Sequence, residues 1–351
     1  MIIKIGKKII GKNYPVFIVA ELGINHNGRV ALAKKMMLAA KKAGADACKL
    51  QSFVTKDFVG DQKLKYTYIS QGKKITESQY QMFKRYELSQ KIQKELFNYA
   101  KKIGIILFST PQDNDFKMVD FLCSKTINMP SIKVGSDDLT NLAMLTYYAK
   151  KKKPLIISTG MADLGEIKDA VEAIQKYNKK LAILKCTSLY PTPAREANLN
   201  QILTLKKMFP QLIIGYSDHT IGSLAAVMAT ALGAKMIEKH FTLNKNLPGP
   251  DHRFSADPKE LSDLVKNVRA AELMLGKKEF ILSAEELKMK KIARRSVIAD
   301  RDIKKGQKIK TSDLVVKRPG TGLPPKYLSK IVGKIAKRNI ESGKIINLKD
   351  F

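Results

Sequence analysis

Lys49 in ACKLQSF and Lys133 in SIKVGS stand inside apolar, strand-like runs. Burying an ammonium without an anionic partner is costly. Each lysine therefore meets an anion, or serves as a desolvated Schiff-base nucleophile. Hydroxyls at the ends of neighbouring runs, Thr110, Ser136, Ser158, Ser188 and Ser217, favour an anion cradle, in which lysines neutralise charge and Ser and Thr donate hydrogen bonds. The chain has only four histidines. His219 (GYSDHT) and His240 (MIEKHFT) each close an apolar run, and two imidazoles with carboxylates such as Glu21 and Glu238 nearby suit a divalent metal that keeps open positions. The competing reading is a hydrogen-bonded histidine pair in a polar pocket, since neither HxxxH nor CxxC spacing is present. His26 (ELGINHNG) reads as a loop residue that hydrogen-bonds near the same place. His252 lies in PGPDH, where Asp251 either accepts from a substrate hydroxyl or caps a turn.

Such residues converge only if the runs that carry them share one end. Eight runs read as strands: 17–24, 47–53, 105–111, 131–136, 154–160, 181–188, 212–219 and 236–242. They are nearly continuous in Val, Ile, Leu and Ala, as parallel strands buried on both faces should be. Helical spacing fills the gaps. In MADLGEIKDAVEAIQKY the residues Leu164, Ile167, Val171 and Ile174 share one face. In VALAKKMMLAAKKAGA, Leu32, Met36 and Ala40 stack, and Gly44 stops the helix. This alternation predicts an α/β fold of the (β/α)8 (TIM) barrel type, whose catalytic residues come from the carboxyl ends of the strands. A doubly wound open sheet competes, but no glycine-rich phosphate loop follows the first strand. The longest connection, about 50 residues after the second strand, carries helical patterns of its own.

The pattern changes near residue 280. The barrel with an N-terminal β-hairpin is expected over 1–280, a charged helical linker (SAEELKMKKIARR) over 281–292, and a small β-rich domain over 293–351. RDIKKGQKIKTSDL is echoed by RNIESGKIINLKDF, which suggests two similar units related by pseudo-symmetry. The net charge of +32 is spread through helices and loops without an aromatic-rich basic stripe, which argues for a lysine-biased surface rather than a nucleic-acid partner. No run is long and apolar enough for a membrane helix. Three scattered cysteines, an odd number, argue against a disulfide framework and for the reducing cytoplasm.

The segments VAELGINHNG, KLQSF, FSTP, STGMADLGEI, KCTSLYPTP, GYSDHTIG, EKHFTLNKNLPGPDH and KRPGTG resemble, in order and spacing, those of the sialic acid synthases, which make N-acetylneuraminate, legionaminate and related nonulosonates. The resemblance implies a barrel followed by a SAF (antifreeze-like, β-clip) domain, in a domain-swapped homodimer. It implies condensation of phosphoenolpyruvate with the open-chain aldehyde of an N-acylated amino sugar, releasing phosphate. It gives Lys49, Gln51, Thr110, Lys133, Ser136, Ser158, Ser188 and Ser217 to phosphoenolpyruvate, and Glu21 to the reacting centre. Tyr190, Asp138, Asp251 and Arg318 would contact the sugar, with Arg318 acting in the partner's site. His219 and His240 would ligate a divalent ion, usually manganese, with magnesium or cobalt as alternatives. N-acetylmannosamine is the first expected acceptor and a 2,4-diacetamido-2,4,6-trideoxymannose the second; a related aldol-type synthase with another aldehyde is the remaining reading. Where many members read SGE this chain has Ser136-Asp137-Asp138, and Ser188 replaces an asparagine of some members, so the departures bear on the acceptor.

Overall fold

Val, Ile, Leu and Ala dominate eight short segments that are buried on both faces, and these pair side by side in parallel. In the computed structural model, which describes residues 1–113 and 115–351, they are β1 (Phe17–Gly23), β2 (Ala47–Phe53), β3 (Ile106–Gln112), β4 (Ile132–Val134), β5 (Leu155–Ser158), β6 (Leu181–Cys186), β7 (Ile213–Asp218) and β8 (Met236–His240). Each pairs with its sequence neighbours, and β8 pairs with β1 to close the barrel. The register sets His240 beside Glu21, Glu21 beside Lys49, and Ser217 beside Glu238. Side chains alternate faces along a strand, so Ser217 with Glu238, and His240 with Glu21 and Lys49, form two inward rows two residues apart. The N-terminal hairpin (Ile2–Ile5 with Lys8–Gly11) adds Ile3, Ile5 and Ile10 to the main core.

The helices follow the predicted spacing with one exception. Helix Val30–Lys42 buries Met36 and Ala40 and is followed by Gly44 at φ +95°. Helix Leu164–Gln175 opens with a reciprocal Asp163–Glu166 capping box and buries Ile167, Val171 and Ile174. Leu164, expected on the same face, is exposed: it is the first helical residue, beside the exposed cap Asp163.

The connection between β2 and β3 holds helices, as its periodicity predicts, but also a hairpin, Lys65–Ser70 with Lys73–Ser78, that the pattern did not show. Its two-residue turn, Gln71-Gly72, takes positive φ at both positions, the geometry that matches strand twist. Around it a small separate core forms from Ile24, Phe53, Met82 and Tyr86, with Phe58, Tyr66, Tyr68 and Phe83 packed against it.

Met1–Gly276 forms one compact unit and Lys277–Phe351 a second. In the second, helix Ala284–Ala293 starts from a Ser283–Glu286 capping box, and strands Ser296–Ala299 and Leu314–Lys317 pair antiparallel. The sequence echo becomes a reciprocal exchange. Ile303 and Ile340 pair with each other, both N–H···O distances being 2.8 Å. Gly306 N–H donates to the Ala336 carbonyl and Gly343 N–H to that of Ala299. Ile309 N–H likewise donates to Lys334 and Ile346 N–H to Val297. Asp313 and Asp350 occupy matching positions, capping Lys310 and Asn347 and facing Arg301 and Arg338. Among the described residues no helix is long and apolar enough to cross a membrane.

Candidate active site

At the carboxyl ends of the barrel strands lies a cavity of about 420 Å³, and it gathers most of the residues selected from the sequence. Its centre is a buried charge cluster. Lys49 Nζ lies 2.9 Å from Glu21 Oε2 and 3.7 Å from Glu238 Oε1, with all three side chains almost fully buried. Gln51 Nε2 donates to Glu21 Oε1 at 3.1 Å, and Ser217 Oγ donates to Glu238 Oε1 at 3.2 Å. The two carboxylates diverge in acidity. Burial raises Glu21 above the usual carboxylate range despite Lys49. Burial would also raise Glu238, but Lys49, Lys133 and His219 outweigh it and hold it low. Burial would lower Lys49, yet Glu21 and Glu238 keep it above its ordinary value. One cation thus lies between two carboxylates whose surroundings shift their acidities in opposite directions.

Next to this cluster is a site for an anion. Lys133, lowered by burial, donates to Ser158 Oγ and to the Val134 carbonyl, each at 2.7 Å. Lys49 also reaches Thr110 Oγ1 at 3.2 Å. Ser136 Oγ accepts from Gly160 N–H at 2.9 Å, while Ser188 Oγ is buried with no hydrogen-bond partner in the protein. A methyl group on Gly160 would stand 2.2 Å from Ser188 Oγ and 2.8 Å from Ser136 Oγ. The glycine thus keeps open a cradle of hydroxyls and ammonium groups whose capacity the protein leaves partly unused.

On the other side, His219 and His240 face each other with ring centroids 5.2 Å apart. His219 Nδ1 lies 2.8 Å from the Thr187 carbonyl, which can only accept, so Nδ1 carries the proton and Nε2 is the free ligand atom. His240 Nδ1 is buried without a hydrogen-bond partner, 3.7 Å from Asp251 Oδ2. Burial and the neighbouring His219 hold His240 neutral, as a metal ligand must be. Among the described residues no group of three or more His, Cys, Asp or Glu side chains is arranged as a complete metal site. Two free imidazole nitrogens fit an ion that takes its other ligands from water or substrate. Tyr190 lies against His219 with its ring tilted by 37°, centroids 4.2 Å apart.

Asp251 lines the cavity, pushed up to about 7 by burial and by the charge of Glu21. Asp138 does not line it. The 3₁₀ turn Ser136–Asp138 turns Asp137 toward the cavity instead, where Gln112 Nε2 donates to Asp137 Oδ2 at 2.8 Å. Asp137 thus lines the cavity where Asp138 was expected to. Arg318 belongs to the second unit, where its side chain is exposed. His26 is buried and accepts from Gly28 N–H, and His252 joins Thr242 to Asn27, so both brace loops and neither lines the cavity.

Some lining residues had no assigned role. Glu238 was legible as a strand end two residues before His240, on the same face. Ile24, Phe58, Tyr66, Met82 and Phe83 line the cavity from the aromatic cluster around the unforeseen hairpin. In sequence they resemble ordinary core residues.

Residues 36–280 match the NeuB family and residues 294–351 the SAF domain. An uncharacterized protein of Methanocaldococcus jannaschii is 46% identical over 99% of this chain and 98% of its own length. The N,N'-diacetyllegionaminic acid synthase of Legionella pneumophila is 41% identical over 96% of this chain and 95% of its own. The crystal structure of an N-acetylneuraminic acid synthetase from Leptospira borgpetersenii, in complex with citrate, superposes with a TM-score of 0.73 at 34% identity, covering 82% of this chain and 95% of that one. The order of the matches along the chain, together with the barrel, assigns it to a family: it belongs to the NeuB family, the phosphoenolpyruvate-dependent synthases of nonulosonic acids, and carries a SAF domain at its C-terminal end.

Proposed function

We propose that the acceptor is a 2,4-diacetamido-2,4,6-trideoxymannose and the product a diacetyllegionaminate. The observation that carries this reading is the apolar wall of the cavity, formed by Ile24, Phe58, Met82 and Phe83 with the ring of Tyr66. A sugar with a methyl group at C6 and a second acetamido group presents apolar surface to that wall, worth about 0.8 kcal/mol per buried methylene-sized group. N-acetylmannosamine would set hydroxyls against it and is the second choice; the name of the Leptospira relative supports it, as that of the Legionella relative supports the first. A phosphorylated acceptor fits less well: Lys49 and Lys133 are the lining lysines among the described residues, no arginine lines the cavity, and both lysines are engaged by phosphoenolpyruvate in this reading.

C3 of phosphoenolpyruvate bonds to the aldehyde carbon, water adds at C2, and the tetrahedral adduct releases phosphate to leave a 2-keto acid. Lys49, Lys133 and the hydroxyls of Thr110, Ser136, Ser158 and Ser188 hold the phosphate and carboxylate, fixing the geometry of attack. Glu21, its carboxyl raised above the usual range by burial, supplies the proton that turns the aldehyde oxygen into a hydroxyl, and Gln51 orients it. Tyr190, Asp137 and Asp251 bind the sugar. His219 and His240 would hold a divalent ion, manganese first, which would supply Lewis acidity for the condensation. Two copies associate, and Arg318 serves the neighbouring copy's sugar; the exposed Phe280, Ile281, Met289 and Ile292 of the second unit support such an association.

The test is phosphate release from phosphoenolpyruvate by metal-stripped protein, with each sugar, with and without Mn²⁺. Metal-dependent release with the diacetamido sugar, exceeding that with N-acetylmannosamine, is expected. The reverse preference would overturn the acceptor assignment, and release without any metal would overturn the role of the histidines.

A further inference from the structure

One ion pair behind the cavity is unexplained by either substrate. Asp218 and Lys239 are direct cross-strand partners on β7 and β8, with Oδ2 2.8 Å from Nζ. Their side chains are 0% and 2% exposed. Alternation along the strands sends them to the outer face of the barrel, opposite Ser217, Glu238 and the two histidines. Asp218 Oδ1 accepts from both the backbone N–H of Thr220, at 2.8 Å, and its hydroxyl, at 2.7 Å. Lys239 also donates to the Thr220 carbonyl. His219 is thereby held between two residues of one network, and His240 directly follows the other arm of the pair.

Stability gives a poor account of this arrangement. A buried ion pair is often matched or exceeded by apolar residues of similar volume, because desolvation offsets the attraction. What a charged, hydrogen-bonded pair supplies that an apolar pair does not is a fixed distance and direction between two strand ends. We infer that Asp218 and Lys239 are positioning residues, a clamp that sets the separation of the His219 and His240 rings and so the affinity for the divalent ion. The inference rests on the metal reading above and extends it to residues that touch neither ion nor substrate. Support of this kind behind a metal ligand commonly changes affinity 10- to 100-fold.

The experiment titrates Mn²⁺ into the full-length protein and follows free Mn²⁺ by electron paramagnetic resonance. Wild-type protein should bind Mn²⁺ and His219→Ala should not. The double variant Asp218→Asn/Lys239→Met leaves no unpaired charge and keeps an acceptor for Thr220, so it should keep its thermal midpoint near wild type while binding Mn²⁺ roughly 10- to 100-fold more weakly. Wild-type affinity in the folded double variant would overturn the clamp and leave the metal reading standing. Failure of wild-type protein to bind would overturn both. Should the double variant not fold, Thr220→Val, which removes a single hydroxyl from the network, decides: weaker binding supports the clamp, and unchanged binding rejects it.

Discussion

Glu21 and Lys49 stand directly across from each other on β1 and β2, carboxylate 2.9 Å from ammonium, and both are closed off from solvent. Lys49 answers to Glu238 as well, so one cation balances two carboxylates. Lys49→Met should therefore cost stability as well as activity, roughly 3–5 kcal/mol, because it strands buried carboxylates. Glu21→Gln keeps the shape and removes the acid. Its expected mark is a fall in kcat on the order of 10²- to 10⁴-fold with a smaller loss of stability than Lys49→Met, because Glu238 still partners Lys49. Steady-state phosphate release and thermal melts check both. An equal loss of stability in the two variants would argue that Glu21 is structural.

Gly160 offers a cleaner test of the anion cradle. Alanine there fills the space between Ser136 and Ser188 without the strain of a positive φ. Gly160→Ala should raise the KM for phosphoenolpyruvate roughly 10- to 100-fold, since a hydrogen bond to a charged group is worth about 1.5–3 kcal/mol. The KM for the sugar should stay put. A variant that lost sugar binding instead would move the cradle's ligand from phosphoenolpyruvate to the acceptor.

The apolar wall predicts a change of preference. Phe83→Ser should lower kcat/KM for the diacetamido sugar more than for N-acetylmannosamine, by roughly tenfold, as a lost apolar contact in a pocket is worth about 1–3 kcal/mol. Parallel assays with the two sugars measure the ratio. Equal losses would mean that the wall shapes the fold and not the choice of acceptor.

Buried titratable groups make stability depend on pH with opposing signs. His26 and His252 are lowered to about 4, chiefly by burial, so the folded protein binds fewer protons there than the unfolded chain does. Their contribution is present above about pH 6.5 and lost as pH falls toward 4, on the order of 3 kcal/mol each. Asp251, pushed up to about 7, acts the other way: its folded form favours the proton, so stability declines as pH rises from about 4 through 7. Urea unfolding of metal-free protein at pH 5 and pH 8 separates them. His252→Asn should narrow the loss at pH 5, and Asp251→Asn should gain stability at pH 8. A His252→Asn variant with the wild-type pH slope would exclude the histidine as its source.

Much of the barrel was legible because buried parallel strands leave a one-dimensional signal: runs of β-branched and aliphatic residues, each ended by a polar group. Reading those ends placed Glu21, Lys49, Lys133, His219 and His240 on one cavity. Side-chain direction in irregular backbone was not legible. Asp137 and Asp138 are chemically identical neighbours, and only the 3₁₀ turn distinguishes them. The hairpin in the long connection was hidden because its turn is Gln-Gly rather than the more telling Asn-Gly, and its strands are mostly polar. The apolar wall was hidden for the opposite reason, since Phe58, Met82 and Phe83 look in sequence like any packed residue. Asp218 and Lys239 were equally silent, for nothing in GYSDH or EKH says which face a charge takes until the register is known.

The reciprocal bonding of the second unit has a kinetic meaning. Gly306 and Gly343 each donate to a carbonyl in the opposite half, and Ile303 and Ile340 satisfy only each other. Each half makes part of its backbone bonding only to the other, so a chain holding one half folded and the other open has lost those partners on both sides. The unit should cross its barrier in a single step, with no half-formed species for proteases to find, and a lesion at Ile303 should slow folding about as much as one at Ile340. The repeated pattern here makes two interdependent halves rather than two copies with one to spare.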